Sequence, residues 1–252
     1  DLLVAVALSG ESLVIIVDTR DFSYEEVGVC SYPTSIASGE VDGANVFYDA
    51  CSDGEVSVIT AELSGDDYSF SAEEVTVSED SELTGIAFDE AQEMVFVTDA
   101  TNQQIHAISI FDNSVDGEED LPVALGYTPN RARVTPEGSL ALAPDDNYRI
   151  SKLDASTFAL TTITVATGIG NVLDIAAVDE DTAYAVGDGS DDIYQISLYV
   201  NDDQGTWGVD VGDPVAIIAY EDEKEGTILF VSDSAGSYVH VGSVADETIL
   251  DS

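Results

Sequence analysis

The sequence predicts an all-β fold. Residues 1–252 read as a single domain, a six-bladed β-propeller of four-stranded antiparallel blades whose first blade lacks its innermost strand. Three observations predict it. Alternating apolar runs joined by short polar turns recur along the chain, as in MVFVTDATNQQIHAISIFD at 94–112, AYAVGDGSDDIYQISLY at 183–199 and LFVSDSAGSYVHVGSV at 229–244. Such pairs of runs read as β-hairpins. The second run of each unit is followed by an aspartate: Asp49, Asp99, Asp145, Asp188 and Asp233, at intervals of 50, 46, 43 and 45 residues. That period is the length of one propeller blade. No segment carries strong helix signals, and a β-sandwich gives no reason for a steady period.

The elements follow in order. Leu2–Leu8, Leu13–Asp18 and Tyr24–Val29 read as the last three strands of a first unit. Five complete units follow at about 33–78, 82–125, 128–166, 171–211 and 213–251, with second strands at Val46–Tyr48, Val95–Thr98, Leu140–Ala143, Ala183–Val186 and Ile228–Ser232. The inner position of the first unit then needs an occupant. Three candidates are the C-terminal segment Glu247–Asp251 (otherwise the outer strand of the last unit), a strand from a neighbouring molecule, and residues preceding Asp1. Closure within the chain is the expectation, because an intramolecular strand has the higher effective concentration.

Composition narrows the function. Hydrophobic residues make up 44% of the chain and mean hydropathy is +0.09, which describes a globular protein. No apolar run approaches the roughly 18 residues of a membrane span. There are 51 acidic residues against 6 basic ones, for a net charge of -45. Such a field repels nucleic acid and anionic membrane surfaces. It fits a solvated acidic coat on a marine, halophilic or extracellular protein, since a salty medium or bound divalent cations relieve self-repulsion. A chain that opens at Asp1 directly in a strand fits a processed, mature protein.

The phrases FVTDATNQQIHAISI, FVSDSAGSYVHVGSV and YPTSIASGEVDGANVFYDACSDGEVSVI resemble the YVTN-type β-propeller repeat of surface-layer-associated and lactonase-like propellers. The signature is matched in part, as Phe96-Val97-Thr98-Asp99. The resemblance implies an extracytoplasmic binding or structural propeller, with a minority of enzymes in the family.

Four constellations carry candidate chemistry. Cys30 ends the outer strand of the first unit and Cys51 follows the second strand of the next, so a meander places both on one face of the disc. A disulfide there closes a loop of about 20 residues, is worth roughly 3 kcal/mol and implies an oxidising compartment. The stretch Asp112–Asp120 has oxygen side chains at Asp112, Ser114 and Asp116 and glycine at the sixth place, with Asp120 further on. This is the front half of a calcium loop without its closing glutamate. Of the six cations, Arg131 and Arg133 share one face of an innermost strand near the axis. They are candidates for binding an anion or a partner, or for pairing with internal carboxylates. His106 and His240 occupy corresponding third-strand positions and read as structural.

No nucleophile elbow, phosphate loop or paired zinc motif is present. The function expected is therefore a non-catalytic, secreted or cell-surface binding or assembly module. Its partners would be other protein subunits, cell-surface components or further copies of itself. No cofactor is required, and calcium is the one candidate. The alternatives are a lactonase-like propeller hydrolase and a salt-adapted cytoplasmic propeller.

Overall fold

A computed structural model of the chain describes residues 3–65, 67–115, 121–144, 148–207, 211–222, 224, 226–236, 238–245 and 248–251. Its contacts fall into two compact units, Asp1–Ala132 and Arg133–Ser252. Each holds three small antiparallel sheets.

In the first unit, β1 (Leu3–Leu8), β2 (Leu13–Asp18) and β3 (Tyr24–Gly28) form a three-stranded sheet. The second sheet runs β4 (Pro33–Val41), β5 (Ala44–Cys51), β6 (Glu55–Ser64), β7 (Asp67–Thr76). The third runs β8 (Leu83–Asp89), β9 (Met94–Asp99), β10 (Gln104–Ser109), β11 (Val123–Ala124).

In the second unit, the first sheet contains β12 (Arg133–Val134), β13 (Leu140–Pro144), β14 (Arg149–Asp154) and β15 (Leu160–Thr164). The next contains β16 (Val172–Ala177), β17 (Thr182–Gly187), β18 (Tyr194–Ser197) and β19 (Asp202–Thr206). The last contains β20 (Pro214–Asp222), β21 (Gly226–Asp233), β22 (Tyr238–Ser243) and β23 (Thr248–Asp251). All six sheets follow the order and the boundaries the repeat predicts.

Sheets pack face to face within each unit, and this explains the residue patterns. The second strand of a sheet is covered on both faces, so β9 and β17 are buried almost throughout. They read as continuous apolar runs rather than as an alternation. On β5, Phe47 faces Val14 and Ile16 of the first sheet, while Val46, Tyr48 and Ala50 face Leu83, Ile86, Val95 and Val97 of the third. Outer strands such as β3 and β7 are largely exposed and polar.

A bulge recurs between the first and second strands, at Pro33/Ser35, Leu83/Gly85, Val172/Asp174 and Pro214/Ala216. In the first unit the extra residue is a threonine that clasps the chain ahead. Thr34 Oγ1 lies 2.7 Å from the Leu83 carbonyl oxygen, and Thr84 Oγ1 donates to the Pro129 carbonyl at 2.8 Å. Gly85 lets the backbone of Arg131 and Ala132 approach so closely that a Cβ would stand 2.2–2.5 Å from it.

Two expectations are corrected. The C-terminal segment does not close the first sheet: β23 pairs with β22 through Gly242↔Ile249 and Ser243↔Thr248, as the outer strand of the last sheet. Among the described residues β1 pairs with β2 alone. The aspartate alignment also slips by two in the second sheet. Leu83 pairs with Asp99 and Pro214 with Asp233, but Pro33 pairs with Cys51. Cys51 therefore occupies the place of Asp99 and Asp233, and Asp49 stands where β9 has Val97 and β21 has Val231. A slip of two keeps every side chain on its own face, so alternation alone cannot detect it.

Candidate functional site

The sulfurs of Cys30 and Cys51 stand at disulfide distance, 2.01 Å, with Cα atoms 5.9 Å apart. Cys30 lies just beyond β3 and Cys51 ends β5, so the bond ties the three-stranded sheet to its neighbour. The Cys30 amide also donates to Ser57 Oγ at 2.9 Å. Asp49 lies beside this bond, opposite Ser57 on β6. Its side chain is fully buried, and one carboxyl oxygen has no hydrogen-bond partner among the described residues. The other lies 3.9 Å from Cys51 Sγ. Burial pushes its pKa up to about 7. In the sequence Asp49 stands as one turn aspartate among five. The signal available was its neighbourhood, since only this one stands two residues from a cysteine.

Arg133 lies on β12 at the inner edge of its sheet, and Arg131 immediately precedes that strand. The Arg133 guanidinium donates to Asp174 Oδ2 at 2.9 Å. Asp174 has no exposed surface and accepts two backbone amides as well, from Ile175 at 2.9 Å and Ile217 at 3.2 Å. One carboxylate thus ties together β12, β16 and β20, the inner strands of three successive sheets. Asp174 was not singled out in the sequence, where it is one acidic residue among 51. Its place at the β16 bulge gives it this role.

Of the calcium-loop candidates, Asp116 and Asp120 lie outside the described residues. Asp112 Oδ1 accepts from the Ser114 amide at 3.1 Å and from its hydroxyl at 2.7 Å, an Asx turn that holds the Asp112 carboxyl below the usual range. The two histidines repeat one arrangement. His106 Nε2 lies 3.5 Å from Asp99 Oδ2, and His240 Nε2 lies 3.5 Å from Asp233 Oδ2. Each aspartate also caps its hairpin: Asp99 accepts the Asn102 amide, and Asp233 accepts those of Ala235 and Gly236. Burial holds the His106 pKa down, against the pull of Asp99. These pairs brace hairpin turns. Trp207 is buried against Tyr184, with ring centres 5.8 Å apart, while Tyr199 is exposed.

One surface feature stands apart from these buried groups. Val4 and Val6 on β1 are 42% and 46% exposed. β1 borders a cleft of about 300 Å³ lined by Leu3, Val4, Ala5, Ile36, Ala37, Ser38 and Phe47. The burial pattern assigns its place: β3 is exposed like an outer strand and β2 is buried like a third strand, so β1 is a second strand, and among the described residues no strand pairs with its inner edge.

Solved structures share this architecture across nearly the whole chain. A chain from a crystal structure of the mitotic checkpoint complex has a TM-score of 0.74 at 12% identity, covering 99% of this chain and 75% of that one. A virginiamycin B lyase from Staphylococcus aureus, catalytically inactive and with quinupristin, gives 0.74 at 13%, covering 96% and 78%. The chain is a six-bladed β-propeller. Dihydro-heme d1 dehydrogenase NirN in complex with DHE gives 0.66 at 15% and covers 99% of this chain, which spans about half of that one (53%). At such identities the fold is what is shared. No family model matches the chain, and no curated protein does. No helix among the described residues is long and apolar enough to cross a membrane.

Proposed function

We propose that this propeller is a non-catalytic binding and assembly module of the YVTN-repeat type, working outside the cell or on its surface, and that its first blade takes up an extended strand from a protein partner. The observation that carries the reading is the edge of β1. Among the described residues five blades have four strands and the first has three, with exposed valines of β1 bordering an apolar cleft. Exposed edges of this kind are templates for strand addition, in which main-chain hydrogen bonds give affinity and alternate side-chain pockets give specificity.

Further support comes from the surroundings. The cysteine pair suits an oxidising compartment, and the net charge of -45 suits a salty medium or bound calcium. One chain of the same fold comes from the mitotic checkpoint complex. Arg133, an inner-strand cation, is engaged by the buried Asp174.

The experiment is photo-crosslinking from position 8, at the end of β1, in the native cell envelope, with and without Val4→Lys and Val6→Lys. The account expects one dominant protein adduct that the lysines abolish while the melting temperature stays within about 2 °C, as for surface substitutions. An adduct pattern indifferent to the lysines overturns it.

A further inference from the structure

The disulfide corner contains a third side chain, Asp49, one of whose carboxyl oxygens has no hydrogen-bond partner among the described residues. Asp49 replaces the valine of two other blades, at a fully buried site, with one oxygen unsatisfied. Burying a carboxyl without a partner opposes folding. A valine in its place would remove that penalty. The residue makes chemical sense if another state of the same corner supplies the missing partner.

That state is set by the neighbours. One carboxylate oxygen of Asp49 and the sulfurs of Cys30 and Cys51 all lie within 4.8 Å of one another, and all three residues are buried. Two thiolates and a carboxylate form a donor set for zinc. Tetrahedral bonds of about 2.3 Å place two sulfurs about 3.8 Å apart, a span that Cα atoms 5.9 Å apart can bridge. Asp49 is held in β5 by pairing on both sides and Cys51 by pairing with Pro33 of β4, while Cys30 lies in the connection between β3 and β4 and is the ligand able to adjust. We propose that reduction of the Cys30–Cys51 disulfide converts this corner into a zinc site, with the two sulfurs and the Asp49 carboxylate as ligands and water as the fourth.

The chemistry balances in two steps. An external dithiol or phosphine supplies two electrons and is itself oxidised, and two protons complete the two thiols. Zinc then displaces one proton from each thiol, and a third wherever Asp49 is protonated, leaving a complex of net charge -1 at the metal. The oxidised corner cannot bind in this way, because its sulfurs are bonded to each other.

The test uses the full chain without oxygen, with a phosphine as reductant and zinc or cobalt alone as the probe. The acidic surface binds divalent ions equally in both redox states, so the reduced-minus-oxidised difference isolates the site. The reduced protein is expected to bind one equivalent of zinc at least about 100-fold more tightly than the oxidised protein. With cobalt it is expected to show a sulfur-to-metal charge-transfer band. Asp49→Asn should weaken reduced-state binding at least about tenfold, by analogy with the loss of groups around metal sites. If the reduced chain unfolds when metal-free, one equivalent of zinc should restore its β-sheet circular dichroism in the wild type and not in Asp49→Asn. Equal affinity in the two redox states, absence of the sulfur band, unchanged binding by Asp49→Asn, or an unfolded reduced chain that zinc does not refold would each overturn the site.

Discussion

Replacing Asp49 with asparagine should make the protein more stable at neutral pH and leave it little changed in acid. The side chain is fully buried and burial pushes its pKa up to about 7, from 3.8 for an exposed aspartate. The folded state therefore prefers the protonated form. Below about pH 4 the carboxyl is neutral in both folded and unfolded chains and carries no charge penalty. Between about pH 4 and pH 7 the unfolded chain releases the proton and the folded chain keeps it, so stability falls as pH rises. At about 1.4 kcal/mol per pH unit, the loss reaches roughly 4 kcal/mol and is complete above about pH 7.

Asparagine has nearly the same shape and cannot ionise. The stability difference between variant and wild type should therefore be flat in acid, grow by roughly 4 kcal/mol through the window and level off. The assay is urea unfolding of both oxidised proteins in chelator. About 1 M salt shortens the screening length to about 3 Å, so the other carboxylates contribute alike to both curves. A difference that does not change with pH would refute the reasoning, because it would mean that Asp49 is solvated or paired when charged.

Other consequences can be checked in the same format. Cys30→Ala with Cys51→Ala removes a link across a sequence separation of 21. It should cost about 3 kcal/mol and lower the melting temperature by roughly 6–12 °C. Arg133→Met leaves the Asp174 charge buried and should cost roughly 3–5 kcal/mol, with Asp174→Asn in the same chain recovering most of it; an additive double-mutant cycle would break the claimed pair. Calcium should raise the melting temperature in dilute salt beyond what matched ionic strength achieves with monovalent ions, by mass action on the folded state. Equal curves with calcium and with chelator at fixed ionic strength would remove calcium from the account.

The sequence carried the fold because each blade repeats the same conflict-free pattern. β9 and β10, Met94–Asp99 and Gln104–Ser109, are buried strands with a turn that Asp99 caps, and the same phrase returns at β21 and β22. The cysteine pair was legible because strand order fixes which strand ends share a face. What alternation cannot reveal is register. The two-residue slip that buries Asp49 preserves its face, so the one carboxyl with an unsatisfied buried oxygen beside the disulfide looked like an ordinary turn residue. The Arg133–Asp174 pair was half visible: the arginine stood out by scarcity, its partner was hidden by abundance. The outer-strand role of Thr248–Asp251 competed with closure of the first blade on sequence grounds alone, since one alternating segment suits both places. Pairing with β22 decided it.

The most direct test of the binding account is hydrogen exchange at β1, residue by residue. β5, β9 and β17 are second strands paired on both sides, whereas β1 pairs only with β2. In the isolated protein, alternate amides of Leu3–Leu8 should exchange nearly as fast as unstructured chain while those of the three reference strands stay protected. In the cell-envelope complex those same β1 amides should become protected. Protection of every β1 amide in the isolated protein, or no gain on binding, would contradict the claim that this edge is where the propeller takes up its partner.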